Sequence, residues 1–268
     1  MTSRQLSSML LLAFTLLGTL LLGGAVAGGV SAAAAGQSSS APATEPAGVL
    51  AQAIITPSKD NTIYEGTTEL RSNGAGQHMF AGKNGINAAQ RTLLAFDLTD
   101  ALPTGATLVS VTLRLNSSTP KSGAHAIRLH RVLSDWGEGT SDADRGEGGG
   151  APATAGDATW LHTSFDTDLW SVVGGDFVAA ASATTTVDAP GPYTWSSPEM
   201  LAEVEAWLAD PTTNFGWILV GNENASGTGR RFDTRENTVA ANRPQLILTY
   251  STPPDEQHLL YLPLVENQ

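Results

Sequence analysis

From Gln52 to Ser251 the chain is built of short apolar runs broken by turn residues roughly every ten positions, and that pattern confines it to antiparallel β-structure. Val109, Val111, Leu113 and Leu115 alternate with Ser110, Thr112, Arg114 and Asn116, a period of two that turns one face inward and one to water. The same test finds Thr92, Leu94, Phe96 and Leu98 in RTLLAFDL, Ile127 and Leu129 between Arg128 and His130, and Leu246, Leu248 and Tyr250 in QLILTY. FGWILVG, Phe215 to Gly221, is apolar on both faces and reads as a central strand covered on both sides. Asn84-Gly85 marks a hairpin between HMFAG and RTLLAFDL, and Pro190-Gly191-Pro192 marks a turn before YTWSS. One helix interrupts the strands. Ser197 caps it, Pro198 and Glu199 suit its first turn, and Leu201, Val204 and Leu208 form a stripe with Trp207 beside it before Asp210-Pro211. The reading is an all-β fold over 52–251, an antiparallel two-sheet jelly-roll sandwich with one short helix plugging an end. Phe96, Val109, Val111, Leu113, Leu115, Trp195, Trp217 and Leu248 are expected in its core.

The flanks differ in composition. Arg4, an apolar stretch from Met9 to Leu22 and the small residues Ala25-Val26-Ala27 read as a signal peptide over 1–27, with cleavage after residue 35 as the alternative. The apolar stretch falls short of a spanning helix, so no membrane insertion is expected after cleavage. Residues 28–51, rich in Ser, Ala and Pro, read as a flexible leader. The tail, 252–268, carries Pro253-Pro254 and then Leu259, Leu260, Leu262, Leu264 and Val265. Leu262-Pro263-Leu264-Val265-Glu266 begins like a sortase signal without its Thr-Gly, so the tail reads as a segment for docking on a surface protein, or as packing for the domain itself.

Charge and cysteine content narrow the function. Arg4 is the only charged residue of the first 27, so beyond them 13 basic residues face 26 acidic ones, which disfavours nucleic acid and anionic lipid as partners. There is no cysteine, hence no disulfide framework, thiolate metal site or cysteine nucleophile. A secreted domain of this kind relies on its core alone, and about 200 residues suffice to build one.

Three constellations carry candidate chemistry. Ser134 to Trp160 places Asp135, Glu138, Asp142, Asp144, Glu147 and Asp157 on a Gly-rich stretch too long for a mere connection. Crowded carboxylates suit a hard cation, so calcium is the cofactor this segment implies. Asp142-Ala143-Asp144 begins like a calcium loop but lacks the later acids of a helical hand, and a solvated acidic loop is the competing reading. Trp136, Trp160 and Trp170 flank the loop; on a surface they would offer flat faces to a sugar, and otherwise each closes a loop over the core. In GRRFDTREN, Arg230, Arg231 and Arg235 have the fork geometry to read an acidic sugar, against the alternative of surface pairing with Asp233.

The ordered set KDNTIYEG (59–66), SNGAGQHMFAG (72–82), RTLLAFDL (91–98), LPTGATLVSVTLRL (102–115), VEAWLADPTTNFGWILVG, RFDTREN and RPQLILTY resembles the DNRLRE-domain family, which overlaps alginate-type carbohydrate-binding modules. The resemblance implies a secreted jelly-roll of the kind appended to polysaccharide-degrading enzymes or surface proteins. Catalysis has no positive signal: His78, His125, His130 and His162 are scattered and no nucleophile elbow is present, although a two-acid glycosidase is recognised only in space. The sequence therefore points to a secreted, non-catalytic carbohydrate-binding or cell-surface module whose partner is a polysaccharide or cell-surface glycan. A structural or adhesive extracellular protein is the alternative, and a polysaccharide-degrading enzyme comes third.

Overall fold

The computed structural model describes residues 48–66, 68–119 and 123–253. The signal-peptide segment, the leader before Gly48 and the tail after Pro253 lie outside them. Fifteen strands lie among the described residues: β1 (Val49–Ile55), β2 (Lys59–Tyr64), β3 (Arg71–Ser72), β4 (His78–Lys83), β5 (Ala89–Ala95), β6 (Thr107–Ser117), β7 (His125–Arg131), β8 (Ala151–Pro152), β9 (His162–Ser164), β10 (Asp168–Leu169), β11 (Ala183–Val187), β12 (Gly191–Trp195), β13 (Trp217–Val220), β14 (Arg230–Asp233) and β15 (Gln245–Thr252). Eleven of them join in one antiparallel sheet ordered β1-β15-β6-β14-β4-β5-β13-β7-β11, with β12 paired to β6 and β2 to β5; β9–β10 and β3–β8 form two small pairs. Among the described residues no helix is long and apolar enough to cross a membrane.

The main apolar cluster gathers the inward side chains that alternation marked, including Leu94, Phe96, Val111, Leu113, Leu115, Trp195, Trp217, Phe232 and Leu248. Val109 is the exception: it is 46% exposed, while its neighbour Leu108 is buried. The cause is a bulge. Opposite β15, Thr249 pairs with Ser110 but Tyr250 pairs with Leu108, so Val109 is the extra residue and the facing reverses there. A second boundary also moves. Val49 pairs with Thr252 at the end of the β1–β15 ladder, which draws Val49–Ala51 out of the stretch read as leader and Thr252 out of the stretch read as tail. Both gain ladder hydrogen bonds that alternation could not reveal, because Val49 and Leu50 remain exposed.

The helix α1 (Pro198–Ala209) forms as expected, with Ser197 Oγ accepting a 3.0 Å hydrogen bond from Met200 N. Its buried stripe is Met200, Val204 and Trp207, while Leu201 and Leu208 are half-buried. Trp207 takes the inward position because it packs edge-on against Trp217, ring centroids 4.6 Å apart.

β5 and β13 are covered on both faces, as FGWILVG required. Leu94, Trp217 and Leu219 point into the main cluster. Leu93, Ala95 and Ile218 point the other way, into a second cluster with Ile63, Val132, Trp136, Ala158, Trp160 and Trp170. That second cluster is roofed by the irregular segment running from Ser134 to Phe177.

Candidate functional site

The roof over β5 and β13 exists because two strands with apolar residues on successive positions leave an outer face that must be kept from water. Trp136, Trp160 and Trp170 supply the cover and are buried, at 3%, 8% and 5% exposure. Trp136 Nε1 donates to Phe215 O at 2.9 Å and Trp170 Nε1 to Thr159 O at 2.8 Å. Lys59 Nζ lies 4.4 Å from the centre of the Trp136 ring and the Arg91 guanidinium 4.7 Å from that of Trp160. These three indoles therefore form no sugar platform.

β2 fastens the roof through three consecutive residues. Lys59 Nζ donates to Asp135 Oδ1 at 2.6 Å and to Trp136 O. Asp60 N donates to Glu138 Oε1 at 2.8 Å, and Asn61 Nδ2 to Glu138 O at 2.9 Å. The six carboxylates read as a calcium loop are not brought together. Asp142 and Asp144 are exposed. Asp135 is exposed too; partial loss of water acts against its ionisation, but the bond from Lys59 outweighs it and holds Asp135 below the ordinary value. Asp157 is fully buried and accepts from Thr154 N, Thr154 Oγ1 and Ser141 N. Gly139, at φ +67°, passes so close that any Cβ there would collide with the Asp157 carboxylate. Glu147 accepts from His78 N at 2.7 Å and Asn73 Nδ2 at 2.9 Å, and His78 Nδ1 lies 3.0 Å from its other oxygen. Burial pushes Glu147 up, yet these bonds prevail and hold it below the ordinary carboxylate value.

Glu138 alone of the six joins a cluster, and its companions come from elsewhere in the chain. One carboxylate oxygen each of Asp60, Glu138 and Glu236 lie within 4.8 Å of one another. Arg235 serves all three: its N–H donates to Asp60 Oδ2 at 2.9 Å, its guanidinium grips Glu138 at 2.8 and 2.5 Å, and Nε lies 2.9 Å from Glu236 Oε1. Burial, reinforced by the Glu236 charge, pushes Asp60 well above the ordinary carboxylate value; burial also raises Glu236, against the pull of Arg235. Sequence reading missed Asp60 and Glu236. The available signal was a charged residue inside KDNTIYEG, a segment that proves to be a strand buried from Asp60 to Tyr64.

The three arginines of GRRFDTREN part company. Arg230 is 1% exposed and spends its donors on the carbonyls of Val187, Gly229 and Gly123. Arg235 is held by Glu138. Arg231 donates Nε to Ser118 Oγ at 3.0 Å and Nη2 to Ser118 O at 2.8 Å, leaving Nη1 directed to neither. It lines an open groove of about 350 Å³ together with Lys83, Asn84, Gln90, Thr119 and Phe80. Five glycines, Gly85, Gly146, Gly148, Gly227 and Gly229, form much of the remaining wall. Neither Lys83 nor Arg231 forms an ion pair among the described residues. Lys83 carried no signal in the sequence reading.

No family model matches the chain, and a search of curated proteins finds no match either.

Proposed function

We propose that the chain is a secreted, non-catalytic carbohydrate-binding module, a two-sheet jelly-roll of the DNRLRE type, that holds an anionic glycan in the groove between Lys83 and Arg231. The observation that carries this reading is a pair of cations without carboxylate partners among the described residues, lining one groove of a chain whose net charge is −12. Within the described residues these charges meet no carboxylate; facing a sugar carboxylate or sulfate they gain charge-assisted hydrogen bonds. Asn84 also lines the groove, while Phe80, Gln90 and Thr119 are buried in its floor, where Gln90 Nε2 donates to Gly148 O and Thr119 Oγ1 bonds the Arg231 backbone, so they shape the groove rather than reach into it. The jelly-roll assignment is supported by one apolar cluster shared between β5, β7 and β13 on one side and β6, β12 and β15 on the other.

The test is a glycan array followed by calorimetry on the best acidic and neutral polysaccharides. Binding should favour uronate or sulfated chains and weaken with salt. Lys83→Ala, whose backbone N–H to Thr228 Oγ1 survives the change, should lower affinity about tenfold, equivalent to roughly 1.4 kcal/mol, with an unchanged melt. Full affinity in the Lys83→Ala, Arg231→Ala double variant would sink the proposal.

The structural or adhesive alternative has one observation in its favour. β1 ends the order of the large sheet, and Val49, Leu50 and Ile54 on it are exposed, so strand addition along that edge is the form an adhesive contact would take. Concentration-dependent self-association without glycan binding would favour it.

A further inference from the structure

We propose that Asp60, Glu138 and Glu236 form a binding site for one divalent cation of the Ca²⁺ type, at the point where β2, the roof segment and the turn after β14 meet. The spacing fits. Calcium takes oxygens at about 2.3–2.6 Å, so ligands around one ion lie within roughly 5 Å of each other, as these three do at 4.8 Å or less.

An independent observation points to a missing ligand. Among the described residues only four buried side-chain polar atoms have no hydrogen-bond partner, and two of them are here: Asp60 Oδ1 and Glu236 Oε2. Asp60 is fully buried. A buried carboxyl oxygen so placed and left without a partner costs several kcal/mol in general, and a bound water or ion is one of the things that complete such an atom in native structures. Charge balance leads to the same conclusion. Three carboxylates share a single guanidinium, which leaves two negative charges uncompensated if all three ionise, the charge one divalent ion supplies. The donors are all carboxylate oxygens, with no sulfur or imidazole, which selects a hard cation. Glu138 and Glu236 keep 17% and 24% of their side-chain surface exposed, giving an entry path and room for waters to complete the shell.

The inference does not depend on the groove. An ion here ties β2 to the roof and to the turn carrying Arg235, and so acts on the second apolar cluster.

The experiment uses the full chain stripped with EDTA and then titrated with CaCl₂ in a calorimeter, with parallel thermal melts. One ion should bind per chain and raise the melting temperature by roughly 5 °C at saturating concentration, since the ion binds only the folded state. Glu236→Gln, a partly exposed change that tolerates folding, should abolish both effects; Asp60→Asn should do the same. Glu223→Gln, which loosens the ion pair with Arg91, should retain both. Identical melts in EDTA and millimolar Ca²⁺ with no bound ion would overturn the site. So would ion binding that survives both Glu236→Gln and Asp60→Asn, which would move it to other carboxylates such as Asp142 and Asp144. An equal response to Mg²⁺, which prefers a tighter octahedral shell, would overturn the choice of ion.

Discussion

Asp157 and Asp60 are both sealed from solvent, yet they stand in opposite conditions. Asp157 lies in an irregular segment and has three donors aimed at its two oxygens. Asp60 lies in a regular strand and has one donor on one oxygen and none on the other. Loops can bend their N–H groups toward a carboxylate, whereas a strand fixes the direction of its own, and that of Asp60 goes to Glu138 Oε1. A buried acid in a loop can therefore be an organising centre by itself. In a strand it must draw on other segments, and at Asp60 they supply too little.

The largest break in that contrast should come from Asp157→Ala. It leaves the buried Ser141 N–H without its acceptor, frees both Thr154 donors, and opens a void at a fully buried side chain, so urea unfolding should show a loss of roughly 2–4 kcal/mol. A variant as stable as the wild type would mean that Asp157 organises nothing.

Glu147→Gln should cost less, about 1–2 kcal/mol at neutral pH, because the amide keeps part of the acceptor role. Its pH dependence has a definite sign. The folded value of Glu147 lies below its ordinary 4.5, so its contribution is complete above that pH and is lost as pH falls through the folded value. The gap between wild type and variant should close in acid. A gap that widened there would reverse the assignment.

Asp60→Asn should show the smallest effect. In chelator it removes a charge that the fold compensates poorly, so its stability should stay within about 1 kcal/mol of wild type. A loss as large as that of Asp157→Ala would show that the two aspartates do the same work and would erase the distinction.

What was legible in the sequence follows the same physics. Alternation located Val111, Leu113, Leu115, Leu94 and Leu248 because the facing of a strand is a local property, and capping chemistry located α1 for the same reason. Val109 was misread because a bulge is decided by the partner strand, β15. For the three loop tryptophans the sequence left a sugar platform and closure over the core both open, because their burial depends on the outer face of β5 and β13, distant in sequence and aperiodic in pattern. The acidic segment looked like one site, but its carboxylates disperse to different partners, and the cluster that does form joins Glu138 to residues near opposite ends of the domain. Charge density along a chain records how many carboxylates must be placed; only closure of the fold decides which of them meet.

The pairing of β1 with β15 has a mechanical consequence. Val49 and Thr252 face each other at one end of that seven-residue ladder, so the two ends of the described domain leave from the same edge. Tension applied through them would load the hydrogen bonds in sequence, opening the ladder like a zipper from Val49 toward Ile55 rather than shearing it all at once. A module tethered on both sides would yield at low force by shedding one strand first, and with it the cover over Leu246 and Leu248, before the rest of the sheet felt the load.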